Sequence, residues 1–154
     1  MLKKLLMLII AVFFVTSLVS ASSIERSFSA TELTPGDNLD VTLTVTVDGG
    51  ESYYLIDELY PSISWTITDS DGGDESEAGH LKWIVISGAA STTYTYSLTV
   101  PDELGEKTFS GIYAFEGGTE EDIGGGDTIT VSNPNNPFAH LKINEFVSDP
   151  ISGN

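Results

Sequence analysis

The chain has 154 residues, no cysteine, and a formal net charge of −17 from 23 Asp+Glu against six Lys+Arg. Such a surface repels phosphate backbones and anionic headgroups, which argues against nucleic-acid and membrane-surface binding and leaves cations, basic proteins and water as compatible partners. Without cysteines there is no disulfide framework, so the fold has to rest on a packed core, for which 40% hydrophobic residues suffice.

The chain opens with a basic start at Lys3 and Lys4, an uncharged run of 15 residues from Leu5 to Val19, and small residues at Val19-Ser20-Ala21. This is the layout of a secretory signal helix cut after Ala21, with residues 1–21 as signal peptide. A retained spanning helix would want about 20 apolar residues, and this run is short of that. No cysteine follows to carry a lipid. The expected location is therefore secreted or at the extracellular cell surface, with the membrane met only through the signal segment. Cleavage leaves four of the six Lys+Arg against all 23 Asp+Glu, a net charge of −19.

From Ile24 the hydrophobic period is two. In "LDVTLTVTV" Leu39, Val41, Leu43, Val45 and Val47 alternate with Asp40, Thr42, Thr44 and Thr46, the pattern of a strand with one face on a core. "ISWTIT" points Ile63, Trp65 and Ile67 inward; "YTYSLTV" does so with Tyr94, Tyr96, Leu98 and Val100. "SYYLIDELY" and "LKWIVIS" carry bulky residues on both faces, which predicts central strands or a second contact surface. "FSGIYAF" sets Phe109, Tyr113 and Phe115 on one side, with Gly111 where a neighbouring backbone or ring approaches closely. Ile24–Leu33 and Thr128–Ser132 complete the set. Pro-Gly, Asp-Gly-Gly and Gly-Gly-Gly turns punctuate these runs, and a short helical turn fits near Asp102–Gly105. The prediction is an all-β, antiparallel, immunoglobulin-like sandwich of seven to eight strands over residues 22–132.

"NPNNP" at 133–137 cannot continue a ladder and reads as a stiff linker. Residues 138–154 are too few for a core of their own.

Two resemblances follow from these residues. "LTPGDNLDVTLTVTVDGGESYYLIDELYP" with "GHLKWIVI", "TTYTYSLTVP" and "GEKTFSGIYAFEGG" resembles an immunoglobulin- or fibronectin-like module of prokaryotic secreted or surface proteins. That resemblance implies a spacer or adhesion unit with no catalytic residues to transfer. "LKINEFVSDPISGN" resembles the first strand and turn of a lamin-tail domain through Ile143-Asn144-Glu145 and Asp149-Pro150. It implies an incomplete lamin-tail-like strand and a longer parent protein. The implied partners are neighbouring domains of that longer chain or other surface proteins.

Candidate chemistry is sparse. In "TDSDGGDESE" the carboxylates Asp69, Asp71 and Asp74, with Glu75 or Glu77 nearby, sit on a Gly-rich loop that could wrap oxygens around Ca²⁺. The alternative is a solvated acidic tip that keeps a sheet edge unpaired. A second acidic tip, Glu120, Glu121 and Asp122, reads as a mobile hairpin connection. The aromatics Tyr53, Tyr54, Tyr60, Trp65, Trp83, Tyr94 and Tyr96 could stack a glycan or fill the core. Asp57 and Glu58 are adjacent, so on a strand they point to opposite faces and cannot share a substrate; burial of Glu58 would raise its pKa. No Gly-x-Ser-x-Gly or His-x-x-x-His pattern occurs. The expectation is no enzyme, no required cofactor, and Ca²⁺ or glycan as the only small ligands to weigh. The acidity would also suit life in high salt.

Overall fold

A computed structural model describes residues 21–133. The signal segment and the lamin-tail-like segment lie outside those residues. The described residues form twelve short strands: β1 (Ser23–Phe28), β2 (Glu32–Leu33), β3 (Asn38–Thr46), β4 (Tyr54–Leu59), β5 (Thr66–Asp69), β6 (His80–Val85), β7 (Thr92–Thr99), β8 (Gly105–Thr108), β9 (Ser110–Phe115), β10 (Glu121–Asp122), β11 (Gly124–Gly125) and β12 (Thr128–Val131). They assemble as β11-β1-β3-β7-β5, β10-β9-β4-β6 and β2-β12-β8. The fold is the expected all-β, immunoglobulin-like sandwich. Pairing is antiparallel except where β11 joins β1 and β2 joins β12.

Twelve segments replace seven or eight because two stretches change sheets partway and the acidic, Gly-rich segment after β9 adds the two-residue strands β10 and β11. The expected Ile24–Leu33 strand leaves β3 after Phe28 and resumes as β2 beside β12. The expected "FSGIYAF" strand is preceded directly by β8, which was not expected as a strand; β8 pairs with β12 and β9 with β4, the switch falling at Phe109. Corners of this kind let one chain close the end of a sandwich.

Period-two patterning is realised most fully in β3, where Leu39, Val41, Leu43 and Val45 are buried between polar neighbours. Leu98 and Tyr96 from β7, Ile56 and Tyr54 from β4, Leu81 and Trp83 from β6, and Ile129 and Val131 from β12 join them in one core. Aromatic packing links the layers: Trp83 stacks on Tyr94 with centroids 5.1 Å apart, and Trp65 meets Phe109 edge-on at 5.8 Å.

Gly111 does what its position suggested. A Cβ there would lie 2.8 Å from the Asp57 carbonyl oxygen and 2.9 Å from Glu58 Oε2. Two expectations fail. Ile63 is exposed because Ser62–Trp65 is a turn closed by the Trp65 N–H on the Ser62 carbonyl, so β5 begins only at Thr66. Residues Asp102–Leu104 are non-helical and lead directly into β8 at Gly105.

Candidate functional site

Two places gather side chains that sequence patterning alone would not arrange so. One is inside the sandwich. Arg26, the chain's only arginine, shares a strand face with Ile24 and Phe28 and so points into the core from β1. Glu58 points in from β4 on the opposing sheet. They meet as a fork: Arg26 Nε donates to Glu58 Oε1 at 2.7 Å and Nη2 to Oε2 at 2.7 Å. Tyr96 Oη donates to the same Oε1 at 2.8 Å, and Arg26 Nη1 donates to the Gly126 carbonyl at 3.1 Å. Burial pushes the Glu58 carboxyl up, with Arg26 and Tyr96 pulling the other way. The Tyr96 hydroxyl is raised by its own burial and by the neighbouring carboxylate. Every polar group here has a protein partner, so the cluster clamps two sheets and offers nothing to a substrate. Tyr96→Phe removes one bond to a charged group and is expected to cost about 1.5–3 kcal/mol, read as a lower urea midpoint.

A cavity of about 310 Å³ opens beside the clamp between Ser110, Thr108, Asp122 and Asp127. Its one cation, Arg26, is already held by Glu58, so the cavity presents carboxylates and hydroxyls but no free positive charge.

The second place is the outer face of the β10-β9-β4-β6 sheet. Leu55 stands directly between Ala114 on β9 and Ile84 on β6. Leu55 is 36% exposed, Ile84 67%, Ile86 82% and Tyr53 47%. One row along, Asp57 pairs across to Lys82 and takes His80 Nδ1 at 2.7 Å, while Glu77 also holds Lys82. Of the two-faced strands, β4 is central and β6 lies at the edge, and the outer face they share is an apolar row bordered by an ionic one.

The loop carboxylates are dispersed. Asp69 Oδ1 accepts the Asp71 N–H, Asp71 Oδ2 accepts the Thr95 N–H, and Asp74 Oδ1 accepts the Ser76 N–H. Asp71 sits at φ +46°, and its carbonyl accepts from Trp83 Nε1. Each carboxylate accepts a different backbone N–H, two within the loop and one from β7, and among the described residues no three acidic, His or Cys groups converge on a metal position. Millimolar Ca²⁺ is expected to leave the melting temperature unchanged; a rise of several degrees would reinstate the cation site. The second acidic tip is more ordered than expected: Glu121–Asp122 pairs with β9, and Glu121 accepts the Tyr113 hydroxyl at 3.0 Å. Of the seven aromatics, Tyr54, Trp65, Trp83 and Tyr96 are buried, Tyr60 and Tyr94 half-buried, and only Tyr53 is exposed, so they form core packing and no flat stacking platform.

No protein-family model and no curated protein matches the chain. Among solved structures, a cohesin module from a Clostridium perfringens family 33 glycoside hydrolase is 12% identical, covering 73% of this chain and 98% of that one, with a TM-score of 0.46. An uncharacterized Nocardia farcinica protein with an immunoglobulin-like fold is 14% identical, covering 72% and 99%, with a TM-score of 0.44. Likeness this loose carries no argument about function, and the fold stands on its own sheet topology.

Proposed function

We propose that the chain is a non-catalytic structural or adhesion module of an exported surface protein, which works by holding another polypeptide against its β10-β9-β4-β6 sheet. The observation that carries this reading is the exposed Leu55–Ile84 row, extended by Ile86 and Tyr53 on a chain that carries a net charge of −17. A clustered apolar patch on a soluble domain costs solubility unless something covers it. The signal-like leader and the acidic balance support an exported location.

Site-specific photocrosslinking in the producing cell tests this. A benzophenone amino acid at position 84 is expected to capture a polypeptide, whereas one at position 44, on the outer face of β3, is not. Equal capture from both positions, or none from position 84, would overturn the reading.

A further inference from the structure

The edge of this sheet narrows what the face can hold. The Tyr60 N–H donates to the Gly79 carbonyl at 3.2 Å, which makes that pair a hydrogen-bonded rung of the β4–β6 ladder. Rungs alternate in an antiparallel pair, so 58/81, 56/83 and 54/85 are bonded inward, while His80, Lys82 and Ile84 turn their backbone groups to the open side. Two of those three are occupied. The His80 N–H reaches the Glu77 carbonyl, and Lys82 exchanges both bonds with Asp74 at 2.8 and 3.1 Å. At Ile84 no described residue takes the N–H or the C=O, and Ile84 is the most exposed residue of its strand.

Proteins usually protect such an edge with lysine, proline or a bulge. Here the stretch from Trp83 to Pro101 contains no charged residue at all, in a chain with 23 acidic ones. The charges lie at the two ends of the exposed rung instead. Asp74 and Glu75 are on the segment that covers Lys82, where Glu77 is already paired with Lys82 and His80. At the other end Glu116 accepts the Ser52 N–H, with Glu51 adjacent, where Ala89 bonds back to Ser52.

From this geometry we infer that the Ile84 edge of β6 is a strand-addition site for an extended polypeptide segment with apolar residues on one face and basic residues at its ends. The free N–H and C=O demand extended backbone. Leu55, Ile84 and Ile86 demand apolar side chains on one face of it, and the flanking carboxylates demand Lys or Arg at its ends. A second copy of this chain fits poorly, because it would bring acidic ends onto acidic ends. This inference rests on the sheet-face reading above and specifies its occupant.

The test uses the purified full chain and a synthetic peptide of about nine residues with valine or isoleucine at alternate central positions and lysines at both ends. Titration followed by NMR shifts should show saturable binding that weakens as salt rises. Binding should fall tenfold or more with Ile84→Lys, and equally with wild-type protein when alternate peptide amides are N-methylated, a change that leaves the protein's fold untouched. Binding that survives N-methylation would overturn strand addition while leaving the face as a docking surface. Equal binding of a glutamate-for-lysine peptide, or no binding by wild type, would overturn it as well. Dimerisation of the chain in sedimentation, abolished by Ile84→Lys, would show that the occupant is a second copy and refute the proposal. Capture at position 84 alongside any of these failures would leave the broader docking role standing.

Discussion

Arg26→Ala is expected to destabilise the fold by about 3–5 kcal/mol, the cost of leaving a buried carboxylate without its counter-charge. Glu58 is fully buried, and Arg26 supplies two of its three side-chain bonds; the third comes from Tyr96. With the guanidinium gone, nothing but the tyrosine hydroxyl opposes the desolvation that already raises the Glu58 pKa. The variant's Glu58 therefore keeps its proton in the folded state to a higher pH than the wild type's. Below the unfolded glutamate pKa of about 4.3 both states are protonated and this penalty is absent. As pH rises above that value the unfolded chain ionises first; wild-type Glu58, also raised by burial but opposed by Arg26, ionises next, and from there the penalty keeps growing only in the variant. The stability gap between wild type and Arg26→Ala should thus be smaller at pH 5 than at pH 8. Urea unfolding at the two pH values reads it directly, and a gap that widens on acidification would refute the assignment. Removing the whole polar cluster is a separate matter. Arg26→Met with Glu58→Leu and Tyr96→Phe leaves no orphaned charge, and it should recover most of the loss, because apolar replacements of buried ion pairs are often neutral or stabilising. Recovery would mean that the clamp sets which faces meet rather than how tightly they hold.

The two partners of that clamp were unequally visible in the sequence. Glu58 could be flagged as a carboxylate among Tyr54, Ile56 and Tyr60, but its counter-ion lies 32 residues earlier. The available signal was parity: in "SIERSF" the arginine falls on the same face as Ile24 and Phe28, and an inward arginine requires an inward carboxylate. The β3 core face was legible because alternation there is unbroken, and the β9 face because its aromatics share one side with Gly111, which marks a tight approach. Changes of sheet at Phe28 and Phe109 were not, since pairing partners are set by the closing of the sandwich and leave no mark on the local pattern. The same holds for the Ile84 edge. Two-faced hydrophobicity in "LKWIVIS" pointed to a central strand or a contact surface, but which backbone groups stay open depends on β4 being, among the described residues, the only full strand beside β6 and on Asp74 stopping at Lys82. The acidic loop stayed open between cation site and solvated tip for a related reason: spacing placed three carboxylates close in sequence, and which backbone N–H each one meets is set by the fold.

Gly125→Ala should be the most damaging single methyl addition in the molecule, at about 2–4 kcal/mol. Gly125 has φ +84°, and a Cβ built there would sit 2.3 Å from the Arg26 carbonyl oxygen and 2.9 Å from the Arg26 nitrogen. Those are backbone atoms of β1, pinned between β11 and β3, so the strand cannot step aside as a flexible side chain would. Relief requires β11 to move off β1, which also pulls away the Gly126 N–H bond to the Arg26 carbonyl and the Gly126 carbonyl that receives Arg26 Nη1. The damage therefore reaches the clamp through its fourth bond. Gly117 provides the internal comparison. It has φ +74°, but no atom lies within 4 Å of a Cβ placed there, so Gly117→Ala isolates the conformational strain at about 1 kcal/mol. A urea midpoint that falls clearly further for Gly125→Ala than for Gly117→Ala assigns the excess to the collision with β1. Equal losses would mean that β11 yields freely, and that the clamp's contact with Gly126 contributes nothing to holding the sheets together.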